Sequence, residues 1–299
     1  MTREEQDKIE SVAEFRPRPM LAVPTEHLPE TFEDCLQAGS DDLMGFRAIV
    51  TGAGAGIGRA IARRLVLEGV AVVVADIDES AGRDLVREFE ASGGRAAFVA
   101  SDVGIEADVR KMIEYTVKRF GGLDILVNNA GIAPPPSFPQ ADPVHWGRTL
   151  DVNLRGAMLA IQLGIEEMGK GGGGAVVNIS SIAGMVYQPY GAPEYAASKA
   201  ALVHLTAALG SLQDTHQVRV NCICPGWVET EAVAAYLAAA DPAELASLRP
   251  APPAKLIQPE EIAELVLMFV RDGTLAGRIA VWPDGEPWHL VPDDLMFRY

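Results

Sequence analysis

Short apolar runs alternate with amphipathic stretches along the chain from Phe46 onward. Apolar runs without polar alternation, such as VAVVVA at 70–75, are typical of strands that are buried on both faces. Helical spacing of apolar residues follows each run. The pattern predicts seven strands, at 46–51, 70–75, 95–100, 123–128, 175–180, 218–223 and 277–282. We therefore expect a single-domain α/β fold, a doubly wound parallel sheet of about seven strands with helices on both faces.

Two segments depart from this alternation. Residues 1–45 contain eleven acidic and four basic residues and four prolines. They predict an acidic N-terminal extension, either an arm that docks on the enzyme surface or a neighbouring subunit, or a disordered tail. Residues 46–299 form the predicted domain, in which the alanine-rich stretch 229–257 is an insert. It is interpreted as a substrate lid, with a static surface excursion as the alternative.

A glycine-rich turn, TGAGAGIG at 51–58, joins the first predicted strand to the first helix. Gly52 permits a tight turn, Gly56 lets the backbone approach a diphosphate, and Gly58 lets the helix pack on the strand. Asp76 ends the second strand, where a carboxylate accepts hydrogen bonds from ribose hydroxyls and repels a 2′-phosphate. No Lys or Arg lies at 53–57 or 77–79. The pattern predicts NAD rather than NADP as the cofactor.

Tyr195 and Lys199 are four residues apart in PEYAASKAAL, so they share one face of a predicted helix. One interpretation is ordinary: the ring is buried and the ammonium reaches water. The other is catalytic, because a nearby ammonium favours the phenolate and lets tyrosine exchange protons near neutral pH.

Composition narrows the classes of partner. The formal net charge of −16 disfavours nucleic acid and anionic membranes. The apolar runs are too short to span a bilayer, and the first residues lack the apolar core of a secretory signal. Three cysteines, Cys35, Cys222 and Cys224, are expected to be reduced thiols in a cytoplasmic protein. A metal site at the last two is conceivable, but no further Cys or His cluster completes it, so none is expected.

The chain from about 46 to 282 resembles the short-chain dehydrogenase/reductase family, which has a Rossmann-like fold. Seven motifs occur in the family's order: TGAGAGIG (51–58), SDV (101–103), NNAG (128–131), Asn153 in DVNL, NISS (178–181), YAASK (195–199) and PGWVET (225–230). The resemblance implies NAD(H)-dependent interconversion of a secondary alcohol and a ketone.

The resemblance also implies roles for individual residues. The catalytic set is Asn153, Ser181, Tyr195 and Lys199, with Ser180 as the other candidate serine, because the serine–tyrosine spacing is one residue longer than the family's. The implied cofactor-binding residues are Gly52, Gly56, Ile57, Gly58, Asp76, Ile77, Asp102, Val103, Asn129, Ala130, Gly131, Tyr195, Lys199, Pro225, Gly226, Val228 and Thr230. Within these, Asp102 and Val103 are expected at the adenine, and Val228 and Thr230 at the nicotinamide.

Residues around the motifs predict an apolar alcohol or ketone substrate: Trp146, Met185, Tyr187, Tyr190, Pro193 and Trp227. A homotetramer or homodimer is expected. Near the end, AVWPDGEPW replaces the family's usual aspartate–glycine–glycine turn, so the C-terminal tail HLVPDDLMFRY is expected to pack differently. Two other functions stay open, an NAD-dependent epimerase or dehydratase and a non-catalytic dinucleotide sensor.

Overall fold

The computed structural model describes residues 43–186, 192–240, 252–253 and 255–291. Most of the predicted extension lies outside this range, together with Cys35, Tyr187, Tyr190 and much of the insert. The docked-arm and lid hypotheses therefore stay predictions.

One mostly parallel sheet organises the described residues. Its eight strands are Arg47–Thr51 (β1), Ala71–Asp76 (β2), Ala96–Ala100 (β3), Ile125–Asn128 (β4), Gly174–Ile179 (β5), Val218–Pro225 (β6), Ile279–Trp282 (β7) and His289–Leu290 (β8). The strand order is β3–β2–β1–β4–β5–β6–β7–β8, and only β8 pairs in the antiparallel sense. Because β1 pairs with both β2 and β4, the direction of winding reverses there, and parallel α/β sheets bind ligands at such a switch point.

Helices connect the parallel strands. The described helices are Gly56–Leu67 (α1), Glu79–Ala91 (α2), Glu106–Phe120 (α3), Pro143–Leu150 (α4), Gly156–Gly171 (α5), Pro193–Ala208 (α6), Leu212–His216 (α7), Glu231–Ala239 (α8) and Pro259–Arg271 (α9). Asp142 caps α4 through the backbone N–H groups of Val144 and His145, and prolines begin α4, α6 and α9. Every described helix is too short or too polar to cross a lipid bilayer.

The fold confirms the predicted doubly wound sheet, with three local differences. The sheet has an eighth strand, β8, and α7 was not predicted. The helix predicted after Pro143 is interrupted by a π-helical turn, Asp151–Arg155, before α5 continues. Two residues of strand and five of helix carry too little periodicity to be recognised, and π-helical turns have no simple sequence signature.

The core lies on both faces of the sheet. The four strands around the switch point are almost wholly buried, which explains their uniform apolar runs. The carboxyl ends of the parallel strands meet at one edge, and the TGAGAGIG, SDV, NNAG, NISS and PGWVET motifs lie at or just after these strand ends. Asn153 and the Tyr195–Lys199 pair lie on helical elements.

Candidate functional site

The glycine turn between β1 and α1 has no room for side chains at its closest approach. Gly52 and Gly56 have positive φ values of +62° and +51°. A Cβ added to Gly58 would lie only 2.2 Å from the Gly52 carbonyl oxygen, so α1 packs directly on the turn. Ile57 is half-buried in the first turn of α1. The helix N-terminus therefore faces the carboxyl edge of the sheet, which is the arrangement that suits a diphosphate.

The end of β4 braces this turn. Asn129 Nδ2 donates hydrogen bonds to the carbonyls of Thr51 (2.9 Å) and Gly52 (3.0 Å). The Thr51 hydroxyl accepts the backbone N–H groups of Asn129 and Ala130 at 3.0 and 3.1 Å. The side-chain amide of Asn129 thus holds the glycine turn, a contact that the sequence did not predict. Thr51 is a further residue of the site, and its place at the start of the glycine motif was the only sequence signal for it.

Asp76 lies at the end of β2 beside the glycine turn. One carboxylate oxygen accepts the Gly54 N–H at 2.7 Å, and the other accepts the Asp78 N–H at 2.9 Å. A Cβ on Gly54 would lie 2.9 Å from the Asp76 carboxylate. Ile77, the next residue, is largely exposed. The carboxylate is therefore held in place by backbone groups at the position predicted for the ribose.

Asp102 follows β3 and is held from the opposite side of the cleft. Its carboxylate accepts the Gly104 N–H at 3.0 Å and pairs with the Arg148 guanidinium of α4 at 2.6 Å. Val103 is buried behind it. Asp102 and Arg148 are 46 positions apart in sequence, so their ion pair could not be predicted from the sequence.

Tyr195 and Lys199 lie on one face of α6, as predicted. The Lys199 Nζ is 5.7 Å from the centroid of the Tyr195 ring and donates to the Ile179 carbonyl at 2.9 Å. Lys199 is only 3% exposed, and this burial lowers its pKa to about 8. A Cβ on Gly131 would lie 3.1 Å from Nζ, so the NNAG turn passes directly beside the ammonium.

The two candidate serines have different surroundings. Ser180 is buried and donates to the Lys199 carbonyl at 2.8 Å. Ser181 caps a short 3₁₀ turn through the Ala183 N–H, and its hydroxyl lies close enough to the Tyr195 phenol to lower the phenol's pKa. The geometry therefore brings Ser181, rather than Ser180, to the tyrosine.

The pKa of Tyr195 moves in the direction opposite to the one expected from sequence. Burial of the phenol raises its pKa above the usual value, and this effect is larger than the opposing effect of Ser181. The tyrosine is therefore a protonated donor near neutral pH in this state of the protein.

Asn153 lies in the π-helical turn and is buried. Its Oδ1 accepts the Ile132 N–H at 2.8 Å, while Nδ2 donates to the Ile132 carbonyl and to the Ser198 hydroxyl at 2.9 and 3.0 Å. Ser198 donates in turn to the Tyr195 carbonyl at 2.6 Å. Asn153 thus ties the loop after β4 to the face of α6 that carries Tyr195 and Lys199. Single π-helical turns are frequent at functional sites.

The segment after β6 reaches the glycine turn. Pro225 ends the strand, and Val228 is buried and forms a parallel bridge with Ile257. Thr230 caps α8, and its methyl group would be 3.0 Å from a Cβ on Gly56. The start of the insert is therefore in contact with the glycine turn.

Cys222 and Cys224 project from one face of β6, with their sulfur atoms 4.0 Å apart, and both are buried. The sulfur–sulfur hydrogen bond and burial raise the pKa of the Cys224 thiol. Among the residues that the structure describes, no group of three or more His, Cys, Asp or Glu side chains is arranged to hold a metal ion.

The fold is a doubly wound α/β sheet, and the Tyr195–Lys199 pair lies at its carboxyl edge. Residues 47–240 match the family model described as short chain dehydrogenase. The chain belongs to the short-chain dehydrogenase/reductase family, whose members use a nicotinamide dinucleotide.

Two curated relatives and one solved structure show the range of similar proteins. The chain is 38% identical over 228 residues to cis-4-hydroxycyclohexanecarboxylate dehydrogenase of Sinomonas cyclohexanicum, covering 75% of this chain and 89% of the relative. It is 38% identical over 231 residues to L-fucose dehydrogenase of Bos taurus, covering 76% and 83%. A 7α-hydroxysteroid dehydrogenase solved with NADH and 7-oxo glycochenodeoxycholic acid superposes with a TM-score of 0.74 at 32% identity, covering 83% and 97%.

Proposed function

We propose that this protein interconverts a secondary alcohol and a ketone with NAD(H), and that Tyr195 is the general acid and base. The observation that carries the proposal is the position of the buried Lys199 ammonium, which lies 5.7 Å from the Tyr195 ring and donates to the carbonyl of Ile179, two residues before Ser181, at the carboxyl end of β5. An ordinary surface tyrosine and lysine would not have a buried ammonium.

The residues present fit a dinucleotide. The glycine turn offers an N-terminal helix end whose approach is clear of side chains, since Gly52 and Gly56 have positive φ values and Gly58 has no space for a Cβ. Asp76 retains lone pairs on both oxygens for ribose hydroxyls. The other residues expected to bind the cofactor, from Ile57 to Thr230, follow the carboxyl ends of β1 to β6 in sequence. When bound, the nicotinamide accepts or supplies the hydride.

Tyr195 donates its phenolic proton to a ketone oxygen during reduction and takes the hydroxyl proton of an alcohol during oxidation. Ser181 donates a hydrogen bond to the same substrate oxygen, where negative charge develops. Lys199 supplies positive charge that favours the phenolate. One of its three donors is used on Ile179, so two are available for ribose hydroxyls or water.

In this proposal Asn153 holds the loop after β4 in place against α6, because its side-chain amide is hydrogen-bonded to Ile132 and Ser198. A Cβ on Gly131 would be 3.1 Å from Lys199 Nζ and 3.5 Å from Asn153 Oδ1, so both atoms border the same space. A water there would connect the lysine to solvent and replace the proton lost at the tyrosine.

The preference for NAD over NADP rests on Asp76. Its carboxylate is held at the end of β2 by two backbone N–H groups, so it cannot turn away from a 2′-phosphate without losing both bonds. Repulsion between the Asp76 carboxylate and the 2′-phosphate of the cofactor would disfavour NADP.

The substrate class is proposed as an apolar cyclic or aryl alcohol. Trp146, Met185 and Trp227 lie close in sequence to the motifs of the candidate site. Trp146 and Met185 are exposed large apolar side chains. Two of the three compared proteins are named for alicyclic substrates, whereas one is named for a sugar.

A panel of cyclic, aryl and polyol alcohols tests the proposal, with NAD+ and NADP+ in parallel and formation of reduced coenzyme as the readout. We expect one equivalent of ketone and of NADH for each alcohol consumed, with NAD+ preferred. Substrate conversion without net NADH would identify an epimerase or dehydratase. Tight NADH binding without turnover across the panel would identify a dinucleotide sensor.

A further inference from the structure

The loop that follows β6 is held by three kinds of contact. The Gly226 N–H donates to the Trp282 carbonyl at the end of β7, at 2.8 Å. Backbone hydrogen bonds join Ile257 to Trp227 and Glu229 at 2.9 and 2.8 Å, and these bonds close the base of the insert. The third contact comes from a side chain in the stretch that follows β7.

That side chain is Asp284, in the WPDGEPW stretch, where Glu286 stands in place of the second glycine of the family's usual aspartate–glycine–glycine turn. Its Oδ1 accepts the Trp227 N–H at 2.6 Å. The carboxylate also lies against Gly226, where an added Cβ would be 2.2 Å from Oδ1 and 2.7 Å from Cγ. Position 226 therefore has to be glycine for the carboxylate to reach the backbone of the next residue.

The other carboxylate oxygen of Asp284, Oδ2, has a different environment. Among the described residues, Oδ2 is buried and has no hydrogen-bond partner. Burial raises the pKa of this carboxyl, against the opposing effect of the Trp227 N–H. Burying a carboxylate with one unpartnered oxygen destabilises a protein. A group that costs stability at this position indicates a role other than packing.

The neighbours of Trp227 indicate what that role is. The Trp227 ring stacks on Tyr236 of α8, with centroids 6.0 Å apart and an angle of 18° between the planes. The next residue, Val228, and then Thr230 are those expected at the nicotinamide. One peptide group therefore connects the Asp284 carboxylate to the first helix of the insert and to the predicted nicotinamide end of the cleft.

We propose that Asp284 is a positioning residue for hydride transfer: its carboxylate fixes the Trp227 peptide, and through it the Val228–Thr230 segment. The proposal rests on the proposed function for the location of the nicotinamide. The diphosphate and ribose ends are held by other elements, namely the glycine turn and Asp76. Loss of the Asp284 contact therefore reduces kcat much more than it weakens NADH binding.

Three variants test this proposal. Asp284→Ala removes the acceptor, Asp284→Asn keeps an oxygen acceptor of the same shape, and Glu286→Gln changes an exposed acid of the same turn. Because misplacement by about 1 Å can cost ~10²-fold in rate, we expect Asp284→Ala to lose ~10- to 100-fold in kcat on the best alcohol of the panel. NADH affinity should change by less than ~3-fold, and Asp284→Asn should recover most of kcat while Glu286→Gln matches the wild type.

Amide hydrogen exchange on the cofactor-free protein gives a readout that needs no substrate. Asp284→Ala should speed exchange at 226–230, and Asp284→Asn should restore protection. If Asp284→Ala does not fold, Gly226→Ala displaces the same carboxylate from the other side and should show the same loss of protection and of kcat.

Unchanged exchange and kcat in Asp284→Ala would overturn the proposal, as would an Asp284→Asn variant as impaired as Asp284→Ala. If the wild type oxidised no alcohol of the panel, the proposed function would fail. The exchange experiment would still decide whether Asp284 positions the loop.

Discussion

The packing of α1 on the glycine turn can be tested by adding a single methyl group at Gly58. In Gly58→Ala the added Cβ would lie 2.2 Å from the Gly52 carbonyl oxygen, 2.5 Å from Asn129 Nδ2 and 2.8 Å from the Gly52 carbonyl carbon. Ordinary contacts begin at 3.4 Å. Two of the three atoms are backbone, so no side-chain rotation relieves the overlap, and α1 has to move from the turn by roughly 1 Å.

That movement has two measurable effects. Overpacking of this kind costs ~1–3 kcal/mol of unfolding free energy, which denaturant titration measures. Displacing the helix N-terminus from the turn should raise the Kd for NADH at least ~10-fold in a fluorescence titration, because the diphosphate site is built from both.

Gly169→Ala is the matched control. Gly169 lies in α5, where an added Cβ meets nothing within 4 Å, so alanine should stabilise the helix by up to ~1 kcal/mol and leave NADH affinity unchanged. The reasoning would be refuted by a Gly58→Ala protein whose unfolding midpoint and NADH affinity both equalled those of the wild type.

Two further predictions concern charge. Replacing Asp76 with Ala and Ile77 with Arg should shift the ratio of kcat/KM for NAD+ over NADP+ towards NADP+ by ~10- to 100-fold, and equal efficiency of the two cofactors in the wild type would contradict the role of Asp76. The second concerns Lys199, whose pKa is about 8 when folded against 10.5 for a free lysine. Between these values the unfolded state binds more protons, so stability rises with pH, by ~2 kcal/mol from about pH 7 to about pH 9.5. Lys199→Met should lose this rise in denaturant titrations, and an unchanged slope would show that the lysine is not buried as described.

Much of the fold followed from the sequence for a simple reason. Parallel strands that are covered on both faces give uniform apolar runs, and these runs located the ends of β1 to β7 to within two residues. The glycine turn and Tyr195–Lys199 were also visible, because each depends on residues that are close in sequence.

Contacts between distant residues could not be predicted. The choice between Ser180 and Ser181 depends on how the strand end is oriented against α6. The Arg148–Asp102 pair and the Asp284–Trp227 hydrogen bond join elements 46 and 57 positions apart. The direction of the Tyr195 pKa was wrong because the sequence shows the neighbouring lysine but not the burial of the phenol, which has the larger effect.

The central claim is that Tyr195 transfers the proton, and Tyr195→Phe tests it most directly. The measurement is kcat on the best alcohol of the panel, beside the Kd for NADH, with Tyr115→Phe on α3 as the matched control. Losing a positioned acid and base should lower kcat at least ~10²-fold, while the Kd stays within ~3-fold and Tyr115→Phe matches the wild type. A Tyr195→Phe protein that kept most of its turnover would contradict the account.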